Sequence, residues 1–153
     1  MLSNSAARVF VVDDEPVIAS TLAAILKLNG YAATFFTSAR EALAAAQSRP
    51  PDLLISDVMM PGLSGVDLAF QVKTECPACK ILLFSGRAST RDLLEDARRQ
   101  GHDFHLLQKP IHPSAMLARI KTLALEDPPG PVLVSAAKDN YPRFDSGRMM
   151  RRK

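Results

Sequence analysis

Five times in this chain a short, β-rich apolar run is followed by a stretch with helical periodicity, and that alternation restricts the fold more than any other feature. The first run, RVFVV at 8–12, is too short and too β-branched for a helix, and it lacks the polar alternation of a half-exposed strand. Such a run suits a strand buried on both faces. Pro16 then fits a first helical turn, and Ile18, Leu22, Ile25, Leu26 and Leu28 form a helical stripe up to Asn29 and Gly30, a C-terminal stop signal. The same rhythm predicts further strands over 31–36, 52–57, 80–84 and 103–107. Helices are predicted from a Ser38/Glu41 capping box to about Ser48, from Ser64 to about Glu75, and from about Ser89 to Gln100. Pro113 opens the last, with Met116, Leu117, Ile120, Leu123 and Leu125 on its apolar stripe. Five β/α units of this length imply an α/β fold: a doubly wound parallel sheet with helices on both faces.

The second informative feature is what stands at the ends of the apolar runs. Asp13 and Asp14 follow VFVV, Asp57 follows LLIS, Ser85 follows ILLF, and Lys109 lies just past FHLL. In an open parallel sheet, ligands bind outside the carboxyl ends of the strands, where the strand order reverses, so these residues should meet in space. Three converging carboxylates repel one another unless a cation joins them, and an oxygen-rich cluster of this kind suits Mg²⁺. Asp57 alone reads as a turn carboxylate, and Asp13, Asp14 and Glu15 alone as an acidic helix start favoured by the helix dipole. Neither reading explains why two separate strands both stop at carboxylates. Metal-assisted acyl-phosphate chemistry does.

Charge and composition narrow the partners. Residues 1–125 carry 13 Lys and Arg against 12 Asp and Glu, whereas residues 126–153 carry 6 against 4. The body is therefore nearly neutral, and the pI of about 9.1 reflects a basic tail rather than a nucleic-acid-binding face. No apolar run approaches the ~20 residues of a membrane span, and the N-terminus lacks the pattern of a signal peptide, so the cytoplasm is the expected location. At residue 126 the composition changes: EDPPGP ends the last helix and opens a Pro-rich basic extension, expected to be mostly flexible, in which VLVSAA could add a strand. The expected division is a folded domain over 1–125 and an extension over 126–153.

VFVVDDEP at 9–16, PDLLISDVMMPGLSG at 51–65, KILLFSG at 80–86 and QKP at 108–110 together resemble the receiver domain of two-component response regulators. Four separated motifs agree in order, spacing and strand-end placement over about residues 7–125. The resemblance implies a flavodoxin-like (βα)5 sheet of strand order 2-1-3-4-5. It implies that Asp57 accepts a phosphoryl group from a histidine kinase or a histidine phosphotransfer protein. It further implies that Asp14, Asp57 and the backbone carbonyl of Met59 ligate Mg²⁺, with Asp13 acting through water. Lys109 would face the phosphoryl oxygens as a point charge, across a cis bond to Pro110, and Ser85 would be the switch hydroxyl, with Met59 and Arg87 flanking the site. Such a protein is a signalling module, not an enzyme in the usual sense, although it catalyses its own phosphotransfer and dephosphorylation. One departure affects the readout: Leu106 stands three residues before Lys109, where the family usually has Tyr or Phe. Strand alternation puts Phe104 on the face shared with Leu106 and His105 on the other.

Three other readings are weighed against this one. A receiver-fold binding module that works without phosphorylation is favoured only by Leu106, and an N-terminal piece of a larger regulator or hybrid kinase fits the same motifs. A haloacid-dehalogenase-type enzyme would need a second Asp two residues after Asp57, and Met59 occupies that place. Cys76 and Cys79 form a CxxC that follows a helix end, where the dipole has the wrong sign for lowering a thiol pKa, so reduced structural thiols are expected. Two cysteines cannot complete a tetrahedral zinc site alone, and His102, His105 and His112 have no ligand spacing with them.

Overall fold

A computed structural model of the chain describes residues 6–86, 90–102 and 104–126, the side chains of Thr90 and of 124–126 excepted. Arg87, the extension after 126 and the apolar-stripe position Leu125 lie outside the described side chains. The chain order is β1 (Arg8–Val12), α1 (Pro16–Leu28), β2 (Ala32–Phe36), α2 (Ala39–Ser48), β3 (Leu53–Asp57) and α3 (Gly65–Glu75). Then come β4 (Lys80–Ser85), α4 (Thr90–Arg99), β5 (His105–Gln108) and α5 (Pro113–Glu126). All neighbouring strands are parallel, in the order β2-β1-β3-β4-β5. The expected doubly wound α/β sheet of order 2-1-3-4-5 is therefore the observed one.

Side-chain alternation divides the core into two layers. Val9, Val11, Ile55, Leu82 and Phe84 face α1 and α5, where Leu22, Leu26, Met116 and Ile120 cover them. Phe10, Val12, Leu54, Leu83 and Phe104 face α2, α3 and α4. Leu26 is fully buried, and burial of a leucine contributes about 1.5–3 kcal/mol before cavity terms.

The helix ends follow the chemistry read from the sequence. The backbone of α1 closes at Gly30, whose φ of +93° lets Gly30 N–H reach Lys27 O and Tyr31 N–H reach Leu26 O. Ser38 Oγ accepts from Glu41 N–H at 3.4 Å, and Ser64 Oγ from Asp67 N–H at 3.1 Å. One boundary needs correcting. Residue 103 lies outside the described residues, and Phe104 precedes the fifth strand, which begins at His105, because the chain is still turning out of α4: Gly101 N–H donates to Arg98 O and His102 N–H to Ala97 O. Pairing with β4 starts at Leu82 opposite His105 and runs to Ser85 opposite Gln108. Cys76 caps α3 and Cys79 is fully buried beyond a tight turn, both as free thiols. Burial pushes the Cys79 thiol up to about 12. Among the described residues, no helix is long and apolar enough to cross a membrane.

Candidate functional site

The carboxyl ends of β1, β3, β4 and β5 converge, and the residues singled out in the sequence lie there. Asp13 extends β1 by one residue, its N–H donating to Phe36 O at 3.1 Å. Its side chain is fully buried, with Oδ1 accepting from Glu15 N–H at 2.9 Å in the turn that starts α1. Asp57 ends β3 and is 6% exposed, while Asp14 is exposed. Oxygens of Asp13, Asp14 and Asp57 all lie within 4.8 Å of one another.

Lys109 reaches this cluster from the far side of the sheet. Its backbone N–H donates to Ser85 O at 3.0 Å, and its bond to Pro110 is cis, as expected. Its Nζ stands 3.3 Å from Asp13 Oδ2 and 3.5 Å from Asp57 Oδ2, and 5.1 Å from the centroid of the buried Phe84 ring. Ser85 is buried at the end of β4, beside Lys109 along the ladder. Met59 is exposed at the mouth, two residues past Asp57.

The electrostatics follow from burial and from this spacing. Burial pushes the Asp57 carboxyl above its ordinary range; the Lys109 ammonium opposes that shift, and Asp13 adds to it. Burial alone would lower the Lys109 ammonium, but the combined attraction of Asp57 and Asp13 outweighs it, and the net shift is upward. One ammonium against three carboxylates, two of them buried, leaves an excess of negative charge. A hard divalent cation coordinated by oxygen would neutralise it, and the donor set fits Mg²⁺.

Two residues shape the site without having been assigned a role from sequence. Ser56 is fully buried and its hydroxyl donates to Asp57 O at 2.9 Å, which fixes the backbone that carries the carboxylate. Gly65 opens α3 directly against that carbonyl: a Cβ there would stand 2.0 Å from Asp57 O. The available signals were a polar residue inside the apolar run LLISD and a second glycine in PGLSG. Leu106 is half-buried against the α3/α4 layer on the side of Phe104, as strand alternation predicts.

A five-stranded parallel α/β sheet with an acidic pocket at its switch point, faced by a lysine from β5, defines a class of signalling domain. Residues 9–121 match the family described as the response regulator receiver domain, and the chain belongs to that family of two-component systems. It is 31% identical over 115 residues to the probable transcriptional regulatory protein TcrX of Mycobacterium tuberculosis, a match covering 75% of this chain and 48% of the relative. The transcriptional regulatory protein CreB of Escherichia coli is 33% identical over 115 residues, covering 75% and 49%. The chain thus spans about half the length of the curated relatives it matches. Among solved structures, chemotaxis protein CheY4 of Vibrio cholerae superposes with a TM-score of 0.69 at 28% identity, covering 77% of this chain and 98% of that one. Response regulator TrrA of Thermotoga maritima, in complex with Mg²⁺ and BeF, superposes with a TM-score of 0.67 at 30% identity, covering 76% and 98%.

Proposed function

We propose that Asp57 accepts a phosphoryl group, that Asp14, Asp57 and the Met59 carbonyl hold Mg²⁺ with Asp13 acting through water, and that the phosphorylated domain signals through protein contacts. The observation that carries this reading is the ion pairing of one lysine with two buried carboxylates, Asp13 and Asp57, beside the exposed Asp14. An Asp57 carboxylate oxygen attacks phosphorus as the bond from phosphorus to the donor's histidine nitrogen breaks; the donor ring, protonated on its other nitrogen, takes the bonding pair and leaves as a neutral imidazole, and Asp57 becomes an acyl phosphate. When bound, the metal ion supplies charge neutralisation at the phosphoryl oxygens. Lys109 keeps its proton throughout, because two carboxylates favour its charged form, and it exchanges its contact with Asp57 for one with the incoming phosphoryl oxygens. Ser85, at the neighbouring strand end, donates a hydrogen bond to the same group.

The donor on this reading is a histidine kinase or histidine phosphotransfer protein, and the site of action is the cytoplasm. Residues 1–125 form the receiver, and 126–153 are a Pro-rich basic extension rather than a nucleic-acid-binding unit. Leu106 favours an altered readout: an aliphatic side chain held between strand and α3/α4 layer has no ring to swing inward when Ser85 moves. Incubation of the full chain with acetyl phosphate and Mg²⁺ should add one phosphoryl group by intact mass, and Asp57→Asn should add none. No mass gain in the wild type would sink the proposal.

A further inference from the structure

Along the edge strand β2, from the start of β1 to Phe36 beside the Asp13 backbone, lies a groove that phosphoryl chemistry does not use. It has a volume of about 650 Å³, within the range of about 300–1,000 Å³ common for binding pockets. Its floor is apolar, built by Phe10 and Phe36, whose rings lie 4.8 Å apart, with the exposed Thr34 between strand and solvent. Its rim is cationic: Arg8, Lys27 and Arg49 line it. Arg8 is held in place by donating from Nη2 to Arg49 O at 2.7 Å, and none of the three forms an ion pair with a described residue. The nearby carboxylate of Asp52 accepts from the Arg8 backbone N–H at 2.8 Å and offsets part of this charge.

The strand beneath supplies the second element. Among the described residues, β2 pairs only with β1. Ala32 N–H donates to Ala7 O, and Phe36 O accepts from Asp13 N–H, so Ala32, Thr34 and Phe36 turn their backbone groups toward β1. The backbone N–H and C=O of Ala33 and Phe35 therefore face outward. An exposed edge of this kind is a template for another strand.

We propose that β2 and the Arg8/Lys27/Arg49 groove form a docking site for an extended, acidic segment of a partner protein. The segment pairs its backbone with Ala33 and Phe35, seats aliphatic side chains over Phe10 and Phe36, and sets its carboxylates against the three cations. Charge selects this occupant over two others. The acidic segment meets three cations, a second copy brings no excess of carboxylates to them, and residues 126–153 of this chain carry 6 basic against 4 acidic residues. Because Arg8 opens β1 and Asp13 follows its end, the cationic rim lies roughly 15 Å from the carboxylate site along the strand, so the charge contacts of the docked segment are separate from Asp57.

The test uses the full chain and a fluorescein-labelled, capped nonapeptide alternating Glu with Val and Leu, beside its Lys-for-Glu counterpart. By anisotropy at low salt, the acidic peptide should bind at least tenfold more tightly than the basic one. Amide shifts in the NMR spectrum should centre on Ala33 and Phe35. The exposed pair Lys27→Glu and Arg49→Glu should weaken binding at least tenfold with the circular dichroism spectrum unchanged, whereas beryllofluoride should leave affinity unchanged. Equal binding of both peptides, shifts away from β2, or indifference to the charge reversal would overturn the proposal. So would concentration-dependent β2 shifts without peptide, which mean a second copy, or β2 shifts on deleting 127–153, which mean the chain's own tail.

Discussion

Replacing Gly65 by alanine is the most discriminating perturbation, because local propensity and tertiary contact predict opposite signs. Gly65 is the first residue of α3, and in a helix alanine is favoured over glycine by up to about 1 kcal/mol. The tertiary contact opposes this. The new Cβ would stand 2.0 Å from Asp57 O, 2.9 Å from its carbonyl carbon and 3.0 Å from Ser56 Oγ, and real Cβ atoms are essentially never found closer than 3.0 Å to such atoms. Either α3 or the end of β3 must retreat by about 1 Å, which also stretches the 2.9 Å bond from Gly65 N–H to Val58 O. Overpacking costs about 1–3 kcal/mol and a weakened hydrogen bond up to about 1 kcal/mol, against a propensity gain below about 1 kcal/mol. The net is a destabilisation of about 2 kcal/mol, or about 8 °C in Tm for a domain of this size. Displacing the Asp57 carboxylate by a similar distance should slow phosphorylation from acetyl phosphate about a hundredfold. Thermal unfolding followed by circular dichroism measures the first effect and intact mass against time the second. Gly86→Ala is the control: among the described residues its Cβ would meet only Lys109 Cβ, at an ordinary 3.8 Å, so its Tm should stay near the wild type. A Gly65→Ala variant that melts at or above the wild-type temperature refutes the reasoning.

The remaining predictions concern charge, metal and thiols. The folded Asp57 carboxyl holds its proton above the ordinary value of 3.8, so the stability it contributes falls as pH rises through that window; Asp57→Asn should raise Tm at pH 7 without Mg²⁺, and the gain should vanish below about pH 4. Lys109 acts with the same sign at the alkaline end: its folded pKa is raised above 10.5, so its contribution is complete below that value and is lost as pH climbs past the folded pKa, a loss that Lys109→Met should remove from the unfolding profile. Mg²⁺ at ten times its dissociation constant should stabilise the wild type by about 1.4 kcal/mol and Asp14→Asn by much less, as read by thermal shift. Because burial holds the Cys79 thiol up at about 12, that thiol should resist iodoacetamide at pH 8 in the native state and react once the chain is unfolded, as peptide mass mapping would show.

Sequence alone determined the layering, the topology class and which polar residues stand at the strand ends. Runs such as RVFVV and KILLFS, alternating with helical stretches, suit strands buried on both faces of a parallel sheet, and chemistry-bearing residues at their ends meet outside its carboxyl edge. The caps at Ser38, Ser64 and Gly30 were equally legible, because each depends on atoms within a few residues. Properties set by long-range contact were not. The start of β5 depends on how the chain leaves α4 and on the register against Leu82, and periodicity placed Phe104 inside a strand that begins at His105. The positioning roles of Ser56 and Gly65, and the seat of Lys109 between Asp13, Asp57 and the Phe84 ring, depend on distances between segments far apart in sequence. Which of the three carboxylates are buried is likewise a tertiary matter: Asp13 and Asp14 are adjacent, yet the first is sealed under the sheet end and the second faces water. Local chemistry fixes which groups a strand end carries. Only packing fixes their solvation, and therefore their charge balance and their need for a cation.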